Sequence, residues 1–328
     1  MTRPLTAALR RRPLDHPPVW IMRQAGRHLP EYKALRSKHS FQESVSTPDI
    51  AAELTLQPVR RYGMDGAVIF ADIMTPLEAM GVAMTFDPGP RLRPHTLGEV
   101  AALPDLDQNK VGFIAETIGK VQAAVPDHVS VIGFAGAPLT LLAYLVEGGG
   151  SKDFMGLRGA LRADPLAADE ALDTLARSMN RYLAMQVEGG ADVVQLFDTW
   201  ATMLDREAYA RMAARPAEAA LRNLDAPRIY FAPGANHTLD LQRDTNADAF
   251  GVDWRLPIAE AWDHLGDVAL QGNLDPAILL TDPVTIRAAV GDVLGAVDRP
   301  GHILNLGHGI DHRTPPANVT AFVEAARQ

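Results

Sequence analysis

Short apolar runs, each followed by a longer segment of helical character, recur along this chain without a fixed repeat period. There are eight: PPVWIM (17–22), DGAVIF (65–70), VSVIGF (129–134), DVVQLF (192–197), RIYFA (228–232), AFGVD (249–253), VALQG (268–272) and HILNL (302–306). They are rich in Val, Ile and Phe and mostly do not alternate with polar residues, the pattern of parallel strands covered on both faces. Between them, Thr47-Pro48 reads as a cap followed by a first-turn proline, and DIAAELTLQPVRRYG continues that helix. Asp169 to Gly189 predicts another, with Leu172, Leu175, Met179, Tyr182, Leu183 and Gln186 on one face. Alanine-rich helices fit 207–223, 283–297 and 316–326.

Eight strands alternating with helices over 328 residues read as an α/β fold, a (β/α)8 TIM barrel in one domain spanning 1–328. No Ser/Gly linker or low-complexity segment divides the chain. The structural competitor is an open doubly wound sheet. That fold would want a G-x-G-x-x-G loop after the first strand, and none is present.

Composition removes several kinds of chemistry. With no cysteine there can be no disulfide, thiolate–zinc site, iron–sulfur cluster or cysteine nucleophile. A cysteine-free chain suits a reducing compartment, most simply the cytoplasm. No apolar run approaches the roughly 18 residues of a membrane span, and the N-terminus lacks the apolar core of a signal peptide. A net charge of −9 without a basic face argues against nucleic acid. It also means that a polyanionic substrate would have to be met by a local cluster of arginines. Arg10, Arg11 and Arg12 read as the solvated end of a short leading helix rather than as that cluster.

In a barrel the chemistry gathers at the C-terminal ends of the strands. Beyond the first four runs lie, in order, Arg23-Gln24-Ala25-Gly26-Arg27, Asp72, Gly136-Ala137-Pro138 with Tyr144 further on, and Asp198-Thr199-Trp200. Pro233-Gly234 with His237, Asp253-Trp254, Gly272-Asn273 and Gly307-His308-Gly309 complete the rim. Arg23 and Arg27 could be plain surface arginines at i,i+4 spacing, but they flank a glycine directly after an apolar strand. A guanidinium fork there matches a carboxylate through two bonds. Asp72 fits a barrel-mouth carboxylate and a helix cap equally well. Tyr144 lies in an apolar helical stretch, where core packing competes with catalysis. EGGGS lacks the lysine and hydroxyl spacing of a phosphate loop and reads as a turn. His308, Asp311 and His312 resemble a metal cluster, but Gly309 and Pro315-Pro316 make the segment a loop without helical ligand geometry. No metal is expected.

Several long segments resemble the uroporphyrinogen decarboxylase family over essentially the whole chain: PVWIMRQAGRHLPEY, GMDGAVIFADIMTPLEAMG, GFAGAPLTLLAYLVEGGGS, QLFDTWA, GVDW, LQGNLDP and HILNLGHGI. The resemblance implies a single-domain barrel, often a homodimer, that converts the four acetate arms of uroporphyrinogen to methyls with neither metal nor organic cofactor. It implies catalytic roles for Asp72, Arg23 and Tyr144. It implies substrate contacts from Arg23, Gln24, Arg27, Asp72, Tyr144, Phe197, Thr199 and His308. Asp72 stands at the family position that receives the pyrrole N–H groups. An arginine is a poor general acid, so Arg23 as proton donor would need unusual surroundings. The sequence departs from the family at three places. Thr199 replaces the common serine, His28 replaces a usual tyrosine, and Asp311-His312 replaces a more apolar or proline-containing continuation.

Two rivals remain at this level. Cobamide- or thiol-directed methyltransferases of the same superfamily hold zinc with histidine and cysteine, and cysteine is absent here. A barrel that binds a polyanion without turnover would have less use for Asp72 than for the arginines.

Overall fold

The computed structural model describes residues 3–86 and 89–328. Its strands in chain order are β1 (Gly66–Val68), β2 (Met84–Phe86), β3 (Pro90–Leu92), β4 (Ser130–Gly136), β5 (Val193–Phe197), β6 (Arg228–Phe231), β7 (Ala249–Gly251), β8 (Ala269–Leu274) and β9 (His302–Leu306). Seven of them form one curled parallel sheet in the order β1-β4-β5-β6-β7-β8-β9. These are the second to eighth apolar runs, in sequence order, as in a (β/α)8 barrel.

The first run is the exception. It forms no regular strand, only a parallel bridge between Val19 and Leu304. Pro17 and Pro18 have no N–H to give a ladder. The run still closes the barrel between β9 and β1. Leu304 N–H donates to Pro18 O (3.0 Å), and Asp65 N–H donates to Val19 O (2.8 Å). Side chains complete the seam. Val19 N–H donates to the Asp65 carboxylate (2.8 Å), and the Gln24 amide donates to Gly66 O (2.8 Å).

Inside the barrel, Trp20, Ile132, Val193, Ile229, Phe231, Ala249, Ala269 and Ile303 pack as one buried cluster. Leu5, Ala8 and Leu9 of the leading helix Pro4–Leu9 join it, so that helix plugs one mouth, while Arg10, Arg11 and Arg12 beyond it are exposed. A second layer lies between the sheet and the surrounding helices. Helix Pro165–Glu188 starts four residues before the predicted Asp169 because Asp164 caps it, accepting from Ala167 N–H. All six residues of its expected inner face are buried. Gln186 on that face accepts from Phe134 N–H (2.8 Å) and donates to Phe134 O (2.9 Å). Gly133 makes room, since a Cβ there would come within 2.6 Å of the Gln186 amide oxygen.

Helices Pro48–Tyr62, Pro283–Gly295 and Pro316–Ala325 lie where the sequence places them. One element has no counterpart in the pattern of runs: β2 and β3 pair antiparallel outside the barrel sheet. Leu92 N–H donates to Gly148 O (3.2 Å), so the GGG turn that ends helix Pro138–Glu147 backs this hairpin. Gly148 is left-handed (φ +76°), and a Cβ on it would meet Leu92 O at 2.9 Å.

Candidate active site

A cleft of about 800 Å³ opens at the C-terminal ends of the strands, where a barrel carries its chemistry. Arg23, Arg27, Asp72, Tyr144, Phe197, Thr199 and His308 all line it. It is large enough for a macrocyclic ligand, lying in the upper part of the usual range for small-molecule sites.

Arg23 and Arg27 follow the first run on a turn. Arg23 takes a left-handed conformation (φ +64°), uncommon for a side chain of its size. Glycines frame it. A Cβ on Gly26 would meet Arg23 O at 2.8 Å, and one on Gly309 would meet the Arg23 Cδ at 2.6 Å. The Arg23 stem therefore lies across Gly309, which ties the first turn of the rim to the last. Among the described residues neither Arg23 nor Arg27 has a carboxylate partner, although most other arginines do. Both are exposed to the cleft.

Asp72 sits just past β1, half-buried, and accepts from Met74 N–H (2.8 Å). Burial pushes its carboxyl above the ordinary range, while the Met74 N–H and the Arg23 charge pull it down. It is thus a local turn cap and a cleft carboxylate together. Tyr144, on helix Pro138–Glu147, is half-buried with its ring 6.1 Å edge-to-face from Trp200. Burial raises its hydroxyl, with Asp72 adding to the effect and Trp200 and Arg23 opposing it. His308 meets Trp254 edge-to-face at 6.5 Å. Burial lowers the pKa of its ring, and the charges of Arg23 and Arg255 lower it further. Arg23 therefore acts electrostatically on Asp72, Tyr144 and His308 at once, which puts these four side chains around one space.

Phe197 belongs to an apolar floor. Its ring meets Phe134 at 5.7 Å and Phe231 at 6.3 Å, both edge-to-face. Neither Phe134 nor Phe231 is among the residues singled out from sequence, yet the signal was there. The second, third and fourth runs end on phenylalanine and the fifth carries one next to its end. Phe197 and Phe231 are register partners on β5 and β6, whereas Phe134 pairs with Gln195 and Phe70 packs against Tyr32 and Phe41.

Gln24 requires a correction. Its side chain is 1% exposed and does not reach the cleft. Its oxygen accepts from Ile21 N–H (3.0 Å) and its amide donates to Gly66 O, so it braces the seam behind the arginines instead of meeting a substrate. His28 lines the cleft but is only 4% exposed, its ring stacked on Tyr62 at 6.2 Å, and burial lowers it to about 4. Asp311 is engaged by Arg313 through two bonds of 2.9 Å. No group of three or more histidine, aspartate or glutamate side chains among the described residues is arranged to hold a metal ion. No helix among them is long and apolar enough to cross a membrane.

Comparison with known proteins shows the family. The sequence pattern of the family described as "Uroporphyrinogen decarboxylase (URO-D)" matches residues 2–328. The "Uroporphyrinogen decarboxylase" of Myxococcus xanthus is 43% identical over 336 residues, covering 99% of this chain and 95% of that protein. That of Alcanivorax borkumensis is 41% identical over 333 residues, covering 97% and 94%. Among solved structures, a methyltransferase from Methanosarcina mazei superposes with a TM-score of 0.82 over 98% of this chain and 96% of its own. At 21% identity that likeness speaks for the fold alone.

Proposed function

The chain belongs to the uroporphyrinogen decarboxylase family, and on that premise we propose how its residues carry out the decarboxylation of uroporphyrinogen's four acetate arms to methyls, giving coproporphyrinogen. The observation that carries the reading is the pair Arg23 and Arg27, without a carboxylate partner among the described residues and facing a cleft that also holds Asp72. An acidic protein with a net charge of −9 gains nothing from overall attraction toward a substrate of eight carboxylates. Two guanidinium forks supply that attraction locally. Tyr144, Thr199 and His308 offer further hydrogen bonds to the carboxylate arms.

The macrocycle's pyrrole N–H groups converge at its centre, and Asp72 is the acceptor placed to receive them. Substrate N–H donors favour the ionised carboxylate against the burial that raises its pKa. The chemistry then runs through the substrate itself. A proton added to a pyrrole carbon makes the ring a cation. The bond between the methylene and the carboxylate breaks, CO₂ leaves, and the electron pair neutralises the ring as an exocyclic alkene. A proton then adds to the methylene, giving the methyl, and the ring proton is released. Each arm consumes one proton. Because the pyrrole is the electron sink, the reaction asks for neither metal nor organic cofactor. Asp72 stabilises the cationic ring electrostatically in a partly desolvated site. Arg23 and Tyr144 flank that ring, with Arg23 holding a carboxylate arm. The phenylalanine floor of Phe134, Phe197 and Phe231 packs below the macrocycle.

We further place the protein in the cytoplasm, as a homodimer of one-domain barrels over residues 1–328. The absence of cysteine suits the first assignment, and exposed Leu280, on the cleft lining, and exposed Val284 suit the second. The test of function is anaerobic, reducing incubation with uroporphyrinogen. Products with seven, six, five and then four carboxyls should appear in turn, at a rate unchanged by prior chelation. Substrate recovered intact would reject the reading.

A further inference from the structure

The turn that carries Thr199 into the cleft is held from behind by a carboxylate that the reaction does not use. Asp198 is fully buried and follows β5 directly. Its Oδ1 accepts from the Thr140 hydroxyl (2.8 Å) and its Oδ2 from the Tyr230 hydroxyl (2.8 Å). Tyr230 in turn meets the Tyr209 hydroxyl at 3.0 Å. Thr140, on the helix that also carries Tyr144, accepts from Trp200 N–H (3.2 Å). Asp198 N–H donates to Phe231 O (2.8 Å) and its carbonyl accepts from Ala201 N–H (3.2 Å). Trp200 packs edge-on against Tyr144 and at 4.8 Å against Phe154. One side chain thus joins β5, β6 and helix Pro138–Glu147 at the point where two cleft hydroxyls, Thr199 and Tyr144, face the same space.

The chain of hydroxyls has one consistent direction. Tyr230 and Thr140 both donate into an ionised Asp198, and this leaves the Thr140 lone pair toward Trp200 N–H. A protonated Asp198 must donate one bond, so Thr140 or Tyr230 has to turn round. The titratable groups that face it are Tyr230 from β6 and Tyr209 from helix Arg206–Tyr209, with Asp244 acting on Tyr209 beyond. Among the described residues no lysine, arginine or histidine forms an ion pair with Asp198.

We propose that Asp198 is a positioning residue of the decarboxylation site, its ionised carboxylate holding the Thr199–Trp200 turn against Tyr144 and its protonation releasing that turn. The role rests on reading the cleft as the decarboxylation site. Burial supports it by raising Asp198 to about 6, where protonation falls in an accessible range.

The test pairs kinetics with a signal that needs no substrate. In the wild-type enzyme KM should rise about tenfold from pH 7.5 to pH 5, the cost of a hydrogen bond to a charged group. Trp200 fluorescence, taken as the difference from W200F, should shift with the same midpoint near 6. D198N keeps the size but cannot accept from both hydroxyls, so its KM should be about tenfold high already at pH 7.5, with neither transition present. T140V should raise KM at pH 7.5 with a smaller change in kcat, and T140S should restore it. A Trp200 transition that persists in D198N, or a wild-type KM in T140V, would overturn the proposal. If D198N does not fold, the T140V and T140S pair decides. If uroporphyrinogen is not turned over at all, the functional reading fails, and the fluorescence titration still judges the device.

Discussion

At the scale of single residues, Arg23 and Arg27 stand out because they line the cleft with no carboxylate partner among the described residues. Surface arginines such as Arg206 and Arg211 are clamped by Asp240 and Asp169, while these two keep their forks open toward the cleft. Arg27→Ala should raise KM by about tenfold or more while leaving kcat within a few-fold, since one charge-assisted pair is lost from the bound state. Steady-state kinetics at fixed ionic strength checks it, and an unchanged KM would remove Arg27 from the site. Asp72→Ala should lower kcat by at least about a hundredfold with circular dichroism unaltered, because the charge that offsets the ring cation is gone. The arginines were legible because glycine beside them after an apolar run makes no sense in a solvated helix. Gln24 was not legible. Sequence adjacency gives no clue to which side of a turn a side chain faces, and this one faces Gly66. The inward role of Asp198 was hidden for a similar reason, since it lies between a phenylalanine and a threonine that do face the cleft.

At the scale of elements, the runs announced themselves because a strand covered on both faces has no polar positions to interrupt it. The β2–β3 hairpin did not. It is two three-residue strands outside the barrel sheet, paired only with each other, too short for any period to register. Helix Pro165–Glu188 illustrates how an apolar stripe hides a polar contact, since Gln186 sits on it yet bonds both backbone groups of Phe134. Gln186→Ala should cost about 2 kcal/mol, leaving a buried donor and acceptor unpaired. The measurement is a lowered thermal midpoint. Because Phe134 is part of the cleft floor, a raised KM should accompany it.

At the scale of the whole molecule, buried titratable groups set the response to acid. His28 and His302 are both lowered to about 4 from 6.5 by burial. Their neutral forms favour the folded state fully above about 6.5, and that contribution is lost as pH falls toward 4, where the unfolded chain takes up protons first. Asp198, raised to about 6, has the opposite sign, and its contribution is complete below 3.8 and lost as pH rises through 6. Asp72 and Glu78 are raised like Asp198, and His308 is lowered like the other two histidines, so Asp198 is isolated by comparing how the thermal midpoint falls from pH 6 to 4 in the wild type and in D198N. In D198N, where the opposing group is gone, the fall should be steeper. The same slope in both proteins would contradict the burial of Asp198. The barrel itself was legible from order and spacing. The weak first stave was not, because its apolar character is as strong as that of the others and only its two prolines hint at a missing ladder.

That first stave has a mechanical consequence. The other barrel junctions among the described residues are regular ladders, whereas the joint beside Val19 has one isolated bridge, three backbone bonds and the side chains of Asp65 and Gln24. A cylinder made this way behaves like a split sleeve. It can spring open by a small amount along one line without tearing a ladder, and Arg23 and Arg27 ride on the lip of the split. A bulky ring with eight charged arms can then be admitted by flexing that lip alone. In hydrogen–deuterium exchange, the amide of Trp20, held by a 3.4 Å bond to Leu304 O, should exchange sooner than those of β4 and β5, and bound substrate should slow it.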